Sequence, residues 1–252
     1  MPTRGYTGRD GRVGVYDPAI NPTHVTGLWR SCPLAEYAHD PMTGVLLNEP
    51  FVSYDAAATT GDYTLTQATT GTAAVSTTMP GVLSIDSGST TVVQGANVQR
   101  LKSGFVPAAN KSVWFEARVK WTGVAALNVE TAVGLFASDT TIIAASAVST
   151  NNRIGWTSVT DDGVLLFNVD KAGTGTTAAA TTLVSDTWVR LGFVYDGAAD
   201  TVQQYIDGVA VGSAIATTYI PKLVVYPSLV CQSGGTDQPV LHVGGYRVFQ
   251  MR

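Results

Sequence analysis

The sequence predicts an all-β protein built as an antiparallel sandwich or jelly roll. About one residue in eight is Thr, which packs well on a pleated sheet and poorly in a helix. From about residue 51 onward, short strand-like runs recur between turn residues, and no stretch of ten keeps a helical period. The 252 residues, of which 45% are hydrophobic, are enough to bury a large core.

The clearest strand is predicted at residues 112–121, where two kinds of side chain alternate. One face carries Val113, Phe115, Ala117, Val119 and Trp121, and the other carries Trp114, Glu116, Arg118 and Lys120. Such alternation is typical of an antiparallel strand with one face on a core. We therefore expect the first face to point into the sandwich.

Further strands follow the same logic along the chain. They are predicted at 63–66, 81–85, 91–95, 132–137, 142–148, 153–159, 164–169, 187–195, 202–206, 223–230 and 241–251. Asp162-Gly163 and Asp207-Gly208 predict tight hairpin turns, because Asp and Gly both tolerate positive φ. The last strand should lie beside an early strand near 81–95. The expected core includes Phe115, Val119, Leu135, Leu166, Leu191, Phe193, Ile206 and Val248.

Residues 1–54 are predicted to form an extended N-terminal arm in front of a sandwich over 55–252. Gly and Pro are frequent there, so no regular element is expected except a helical turn at 33–38 capped by Ser31. The arm also holds large apolar side chains, which need a surface to lie on. It either docks on a neighbouring protein or folds back over its own sandwich. The candidate docking residues are Arg4, Tyr6, Arg9, Arg12, Tyr16, Leu28 and Trp29.

Residues 186–212, DTWVRLGFVYDGAADTVQQYIDGVAVG, resemble the laminin-G-like branch of the concanavalin A-like family. The family pattern is a Trp opening a strand, an Asp-Gly turn, and a second strand ending in Tyr-Ile-Asp-Gly. Here these are Trp188, Asp196-Gly197 and residues 205–208. The resemblance covers about residues 80–252 and implies an antiparallel jelly-roll sandwich. It does not specify function, since members include lectins, enzymes and structural modules.

The chain is also similar to structural proteins of tailed-bacteriophage virions. The stretches that carry this resemblance are 115–120, 134–136 and 188–193, together with the arm. The resemblance implies a capsid decoration or cement protein in the virion, made in the host cytoplasm. Its expected partners are the major capsid protein or another virion protein, and a second copy of the chain in a trimer in preference to a dimer. The alternative is a carbohydrate-binding module on a phage tail or other surface assembly, with a host glycan as ligand.

The catalytic patterns of enzymes with this fold are missing, so we expect a protein without enzymatic activity. Glycosidases of this fold place Glu and Asp at alternating positions of one strand, with the two carboxyl groups facing one cleft. Here Glu116 is followed by Arg118, and we expect Glu116 to be a solvated residue paired with Arg118 or Lys120. A glycosidase is thus the least favoured alternative.

Two tryptophans are candidates for stacking on a sugar ring. Trp156 alternates with Ile154 and is expected in the core, and Trp114 is expected to be covered by the arm.

No cofactor is predicted. His24, His39 and His242 are isolated, which gives a zinc centre no ligand set. Calcium is the alternative that we weigh, because several aspartates lie at predicted turns, but they form no tight cluster. These aspartates are Asp161, Asp162, Asp196, Asp200 and Asp207.

Charge and hydropathy argue against two classes of partner, nucleic acids and membranes. A net charge of -4 argues against a dedicated nucleic-acid domain, and no run of 18 apolar residues predicts a membrane helix. The N-terminal segment has no apolar signal-peptide region, so we expect a reducing cytosol at synthesis. Cys32 and Cys231 are then expected to be free thiols.

Overall fold

A computed structural model gives the fold, and it describes residues 5–7, 13–15, 27–56, 61–159 and 162–252. Most of the described chain is strand, which confirms the predicted all-β class. In chain order the strands are β1 (Gly5–Thr7), β2 (Val13–Val15), β3 (Gly44–Glu49), β4 (Thr64–Ala68), β5 (Thr72–Val75), β6 (Leu83–Asp86), β7 (Gly95–Gln99), β8 (Val113–Thr122), β9 (Val129–Phe136), β10 (Ile143–Ala144), β11 (Ala147–Val148), β12 (Arg153–Ser158), β13 (Val164–Lys171), β14 (Thr174–Thr182), β15 (Val189–Asp196), β16 (Thr201–Ile206), β17 (Val209–Ala216), β18 (Tyr226–Ser233) and β19 (Val240–Met251).

Among the described residues, helical structure is confined to the segment before β3. It consists of the short helix α1 (Leu34–His39) and two 3-10 turns, Leu28–Ser31 and Pro41–Thr43. Within the described ranges, no helix has the length and apolar content needed to cross a membrane.

Two antiparallel sheets form the sandwich. The seven-stranded sheet has the order β14-β13-β12-β9-β18-β7-β4, and the eight-stranded sheet has the order β17-β16-β15-β8-β19-β6-β5. The expected closure of the chain is confirmed, since β19 pairs with β6 through Leu241 opposite Ile85. Strand β8 lies between β15 and β19, so that Phe115 faces Phe193 on one side and Val248 on the other.

The core lies between the two sheets, and the alternation in residues 112–121 places the correct face inside. All five residues of that face are buried. The rings of Phe115 and Phe193 stack at 5.3 Å between centroids, and Phe167 from the opposite sheet contacts Phe193 at 5.9 Å. The predicted core residues that are buried are Phe115, Val119, Leu135, Leu191, Phe193 and Val248.

Two predicted core residues need correction. Leu166 is only half-buried, because its neighbours Leu165 and Phe167 are the residues of β13 that point inward. The pairing register of β13 with β14 also shifts between Leu165 and Leu166. Ile206 is half-buried and packs against the edge of the core.

The predicted tight turn at Asp207-Gly208 is confirmed, whereas Asp162-Gly163 ends a longer connection between β12 and β13. Asp207 and Gly208 connect β16 to β17 with φ of 49° and 77°, the left-handed values that a two-residue turn requires. Gly163 also has positive φ, and the Asp162 carboxylate accepts a hydrogen bond from the Val164 amide at 2.9 Å.

The expectation that the first 50 residues hold no regular element apart from one helical turn is wrong. Strands β1 and β2 pair with each other, and β3 joins the eight-stranded sheet by pairing with β19. The predicted turn at 33–38 is confirmed as α1, but Pro33 occupies the N-cap and Ser31 does not cap it. The Ser31 hydroxyl instead accepts a hydrogen bond from Trp114 Nε1 at 3.4 Å. The division into units 1–54 and 55–252 stays a prediction.

Candidate functional site

The outer face of the eight-stranded sheet has two different ends. At one end, which we call the covered end, Trp114 of β8 lies opposite Val194 of β15 and Phe249 of β19. A second apolar cluster forms over these side chains and includes Leu28, Trp29, Cys32, Leu34, Tyr37 and Leu46. Trp114 and Phe249 are buried as a result. The segment before β4 therefore covers part of its own sandwich.

Two of the seven candidate docking residues have described side chains, and both lie on this sheet. Leu28 is 3% exposed and meets Gly192, where a Cβ would lie 2.4 Å from its Cδ1. Trp29 is half-buried at the edge of the cluster. Docking by the arm stays a prediction, because only the backbone of Tyr6 is described and the others lie outside the described residues, namely Arg4, Arg9, Arg12 and Tyr16.

The two tryptophans weighed as sugar-stacking residues have the expected positions. Trp114 lies under the covering segment, and Trp156 is fully buried in the core, where it contacts Phe167 at 5.0 Å. Both predictions are confirmed, and neither ring is available to a ligand.

The other end of the same face is open and charged. One step further along the strands, Glu116 lies opposite Arg247, and Arg118 lies opposite Arg190. These side chains line a depression with a volume of about 660 Å³, which we call the cleft. Trp29, Asn48 and Glu49 enclose it from the side of β3.

The floor of the cleft has no side chain of its own at two positions, because β19 carries Gly244 and Gly245 there. The register of β19 on β8 shifts between Val243 and Tyr246, and Gly245 has a φ of 116°. A Cβ at Gly244 would lie 3.1 Å from Arg118 Nη1 and 3.3 Å from the ring of Trp188. A bulge with glycine is typical of a site where another group approaches the backbone closely.

Glu116 is fixed in the cleft by partners on both sides. Trp29 Nε1 donates a hydrogen bond to Glu116 Oε2, and Arg190 Nε lies 3.8 Å from Glu116 Oε1. The expected pairing of Glu116 with Arg118 or Lys120 is wrong. Lys120 forms an ion pair with Asp186 at 2.6 Å instead. The partners come from distant segments, so the sequence around Glu116 carries no signal for them.

The two remaining arginines of the cleft stack on tryptophans. The Arg247 guanidinium lies 5.3 Å from the centroid of Trp29, and that of Arg118 lies 4.0 Å from the centroid of Trp188. Arg247 Nε also donates a hydrogen bond to Asn48 Oδ1 at 3.3 Å. Stacking on the ring face holds each guanidinium in place while leaving its edge free to donate.

The aspartates weighed as calcium ligands serve other purposes. The carboxylate of Asp196 accepts hydrogen bonds from the amides that follow it, and Asp200 binds Lys222 and Tyr195. Asp207 accepts from the Arg190 amide at 2.9 Å. Asp161 lies outside the described residues. In the ranges that are described, no group of three His, Cys, Asp or Glu side chains is placed to hold a metal ion.

The two cysteine thiols and the imidazole of His242 have shifted pKa values. Burial raises the pKa of both thiols: Cys32 lies at the covered end, and Cys231 lies in the main core. Both are free. His242, opposite Lys120 on the outer face, bonds Ser84 and Thr122 hydroxyls at 3.0 Å. Burial and the nearby Lys120 lower its pKa.

Comparison with known proteins defines the fold. The sequence matches no protein-family model and no curated protein. The structure is similar to lectin I from Ulex europaeus, solved with the methyl glycoside of α-L-fucose, at 11% identity and a TM-score of 0.59. That match covers 83% of this chain and 98% of the lectin. The seed lectin from Lotus tetragonolobus gives 11% identity and a TM-score of 0.58 over 82% and 98% of the two chains.

The fold is the concanavalin A-like jelly roll. An enzyme has it too: endo-1,3-β-glucanase from Streptomyces sioyaensis matches at 14% identity and a TM-score of 0.50, over 82% of this chain and 89% of the enzyme. At these identities the likeness establishes the fold, and function has to be argued from the cleft.

Proposed function

We propose that this protein binds a carbohydrate in the cleft and does not cleave it. The observation that carries the proposal is the placement of two half-buried tryptophans, Trp29 in the lining of the cleft and Trp188 beside Gly244 at its border, together with hydrogen-bonding side chains. Aromatic rings offer an apolar face with a polar edge, and convergent polar groups fix a ligand's orientation. Lectins of the same fold make this the better supported of the two functions inferred from the sequence.

The chemistry of the lining suits sugar hydroxyls, which both donate and accept hydrogen bonds. The guanidinium groups of Arg118 and Arg247 donate, while Glu116 and the carbonyl oxygen of Asn48 accept. A volume of about 660 Å³ also falls inside the range of about 300–1,000 Å³ that is common for small-ligand sites.

The placement of the carboxylates supports binding without hydrolysis. Glycosidases need two carboxyl groups facing each other across the scissile bond. In the cleft, Glu116 lies on β8 and is held by Trp29 and Arg190, whereas Glu49 ends β3 and is bound to Arg100. The position that alternates with Glu116 on β8 is Arg118.

The virion role stays a prediction that rests on the sequence resemblance alone. The same holds for its capsid partner, its trimeric or dimeric state and its virion location. Carbohydrate binding is compatible with that role, since a module that recognises a host glycan would fit on a phage tail or another surface assembly.

The proposal is tested with a glycan array, followed by calorimetric titration of the best ligand. Trp188→Ala should weaken binding by about tenfold or more, because it removes the aromatic ring that borders the cleft beside Gly244 and holds Arg118 in place. Tyr219→Ala, which removes an exposed aromatic in the loop after β17, is the matched control and should bind normally. Absence of any glycan ligand, or normal binding by Trp188→Ala, would overturn the proposal. Release of reducing sugar that disappears in Glu116→Gln would identify a glycosidase instead.

A further inference from the structure

The cleft carries more positive charge than its own carboxylates balance. The chain as a whole has a net charge of -4, yet three arginines line this one depression. Of the two carboxylates, Glu49 is bound to Arg100, and Glu116 lies beside Arg190. Among the residues that the structure describes, no ion pair is formed by Arg118 or Arg247.

These two arginines are neighbours, and both are exposed. Arg247 lies directly across from Glu116 on β19, and Arg118 follows Glu116 by two residues on the same face of β8. One face of each guanidinium group packs on a tryptophan ring. The N–H donors around the edge of the guanidinium plane are therefore held in a fixed orientation. Among the described residues, the hydrogen-bond partner of these guanidinium groups is Asn48 Oδ1, which accepts from Arg247 Nε. The terminal N–H donors of both arginines therefore lie beside the glycine positions of β19 with no acceptor from the described part of the chain.

Resting on the proposed function, we propose that the cleft selects saccharides that carry a carboxylate, of the uronic-acid class. A guanidinium binds a carboxylate through two parallel N–H donors, and such charge-assisted bonds are about twice as strong as neutral ones. Arg118 and Arg247 supply the forks, Trp29 lines the cleft beside Arg247, and Trp188 supports Arg118 at its border. A carboxylate presents two coplanar oxygens that match the planar donor pair of a guanidinium, whereas a sulfate ester spreads its single charge over three oxygens, which favours a carboxylate.

The test compares four oligosaccharides of similar length against the full chain by calorimetry at low salt. The probes are oligogalacturonate, its methyl ester, neutral galacto-oligosaccharide and a sulfated galacto-oligosaccharide. Oligogalacturonate should bind at least about tenfold more tightly than its methyl ester, which has the same sugar backbone but an uncharged ester in place of each carboxylate. Its affinity should also fall as salt is raised, since the arginines are solvent-exposed.

Substitutions then assign the selectivity to the two arginines. Arg118→Gln and Arg247→Gln should each reduce affinity for oligogalacturonate by about tenfold and should weaken any binding of the methyl ester by less, because the ester offers hydrogen-bond acceptors but no charge. Arg118→Lys keeps the charge but loses the fork, and should recover only part of the affinity. Arg252→Gln, which removes an exposed arginine outside the cleft, is the matched control and should behave as wild type.

The outcomes separate this inference from the proposed function. Equal affinity for oligogalacturonate and its ester, with Trp188→Ala still weakening both, would overturn the charge selectivity and leave carbohydrate binding in place. Tighter binding of the sulfated probe would overturn the assignment to a carboxylate. Failure of every saccharide to bind would overturn both proposals.

Discussion

The covered end and the open cleft are built on the same three strands, β8, β15 and β19. At the covered end these strands present Trp114, Val194 and Phe249, and an apolar segment buries them. Two residues further along β8, the same face presents Glu116, and the apolar segment no longer covers the sheet there. A single step in the strand pattern therefore separates a surface that stabilises the fold from one that is available to a ligand.

Trp29 lies at the boundary and belongs to both ends. It packs against the covered cluster, donates to Glu116 and lies under Arg247. The covered end thus supports the cleft from one side, because packing at that end fixes the orientation of a cleft residue. Rigid support of this kind is what a selective binding site needs.

The largest expected effect of a substitution lies at the covered end. Trp114→Ala should lower the free energy of unfolding by about 3–5 kcal/mol, since it removes a large side chain from a site that is 3% exposed. Equilibrium urea denaturation measures this loss. Trp114→Phe keeps an aromatic ring and should cost less. A loss below about 1 kcal/mol in Trp114→Ala would show that the covering segment is not a stable part of the fold.

Leu28→Ala should have a smaller effect on stability, about 2–3 kcal/mol, but should open the covered end locally. Burial raises the pKa of Cys32 and keeps it as an unreactive thiol near neutral pH. We expect a thiol reagent to modify Cys32 faster in Leu28→Ala than in wild type, as followed by peptide mass mapping. Cys231, in the main core, is the internal control, and equal modification of both thiols would indicate global unfolding instead.

His242 gives the open side of the sheet its own response to pH. Its pKa in the folded state lies below the ordinary 6.5, so the unfolded chain binds more protons as the pH falls through that value. The free energy of unfolding should therefore decrease on going from about pH 8 to about pH 6, by less than the loss in Leu28→Ala. Denaturation curves of His242→Gln should show a shallower decrease, and an unchanged pH dependence would contradict this assignment.

The smallest expected effect is that of Arg118→Gln on stability, which should stay within about 0.5 kcal/mol because the side chain is exposed and forms no ion pair with described residues. Thermal unfolding of this variant beside Trp114→Ala compares the two ends directly. A large loss in Arg118→Gln would mean that the open cleft, like the covered end, serves the fold.

The fold was predictable where alternation was strict. In β8, every second residue from Val113 to Trp121 is apolar, and that pattern places the inner face correctly. In β13 the run Val164-Leu165-Leu166-Phe167 is apolar at every position. Such a run does not indicate which side chains face the core, and the prediction for Leu166 was therefore wrong. Strand β3 was not predicted, because its six residues lie among Gly and Pro and show no strand pattern in the sequence. The strand is defined by its pairing with β19.

The cleft was harder to predict than the fold. Arg118 was correctly placed on the outer face, but Arg190 and Arg247 reach it only through strand pairing across long stretches of chain. The carboxylate and histidine patterns that indicate an enzyme or a metal site carry no information about a cluster of arginines. The sequence signal for the cleft is the pair Gly244-Gly245 inside a predicted strand, followed by Tyr and Arg. Paired glycines within a strand indicate a β-bulge with an open sheet surface beside it.

Strand β19 also has a consequence for the order in which the molecule assembles during synthesis. It pairs with β3, β6 and β8, all of which are translated long before it. While residues 240–251 are still inside the ribosome, β6 and β8 have exposed edges, and contacts between such distant segments form slowly. Arg247 and the glycine floor arrive on that same strand. The cleft is therefore completed only when β19 pairs, so the proposed binding site is present only in chains in which this sheet has closed.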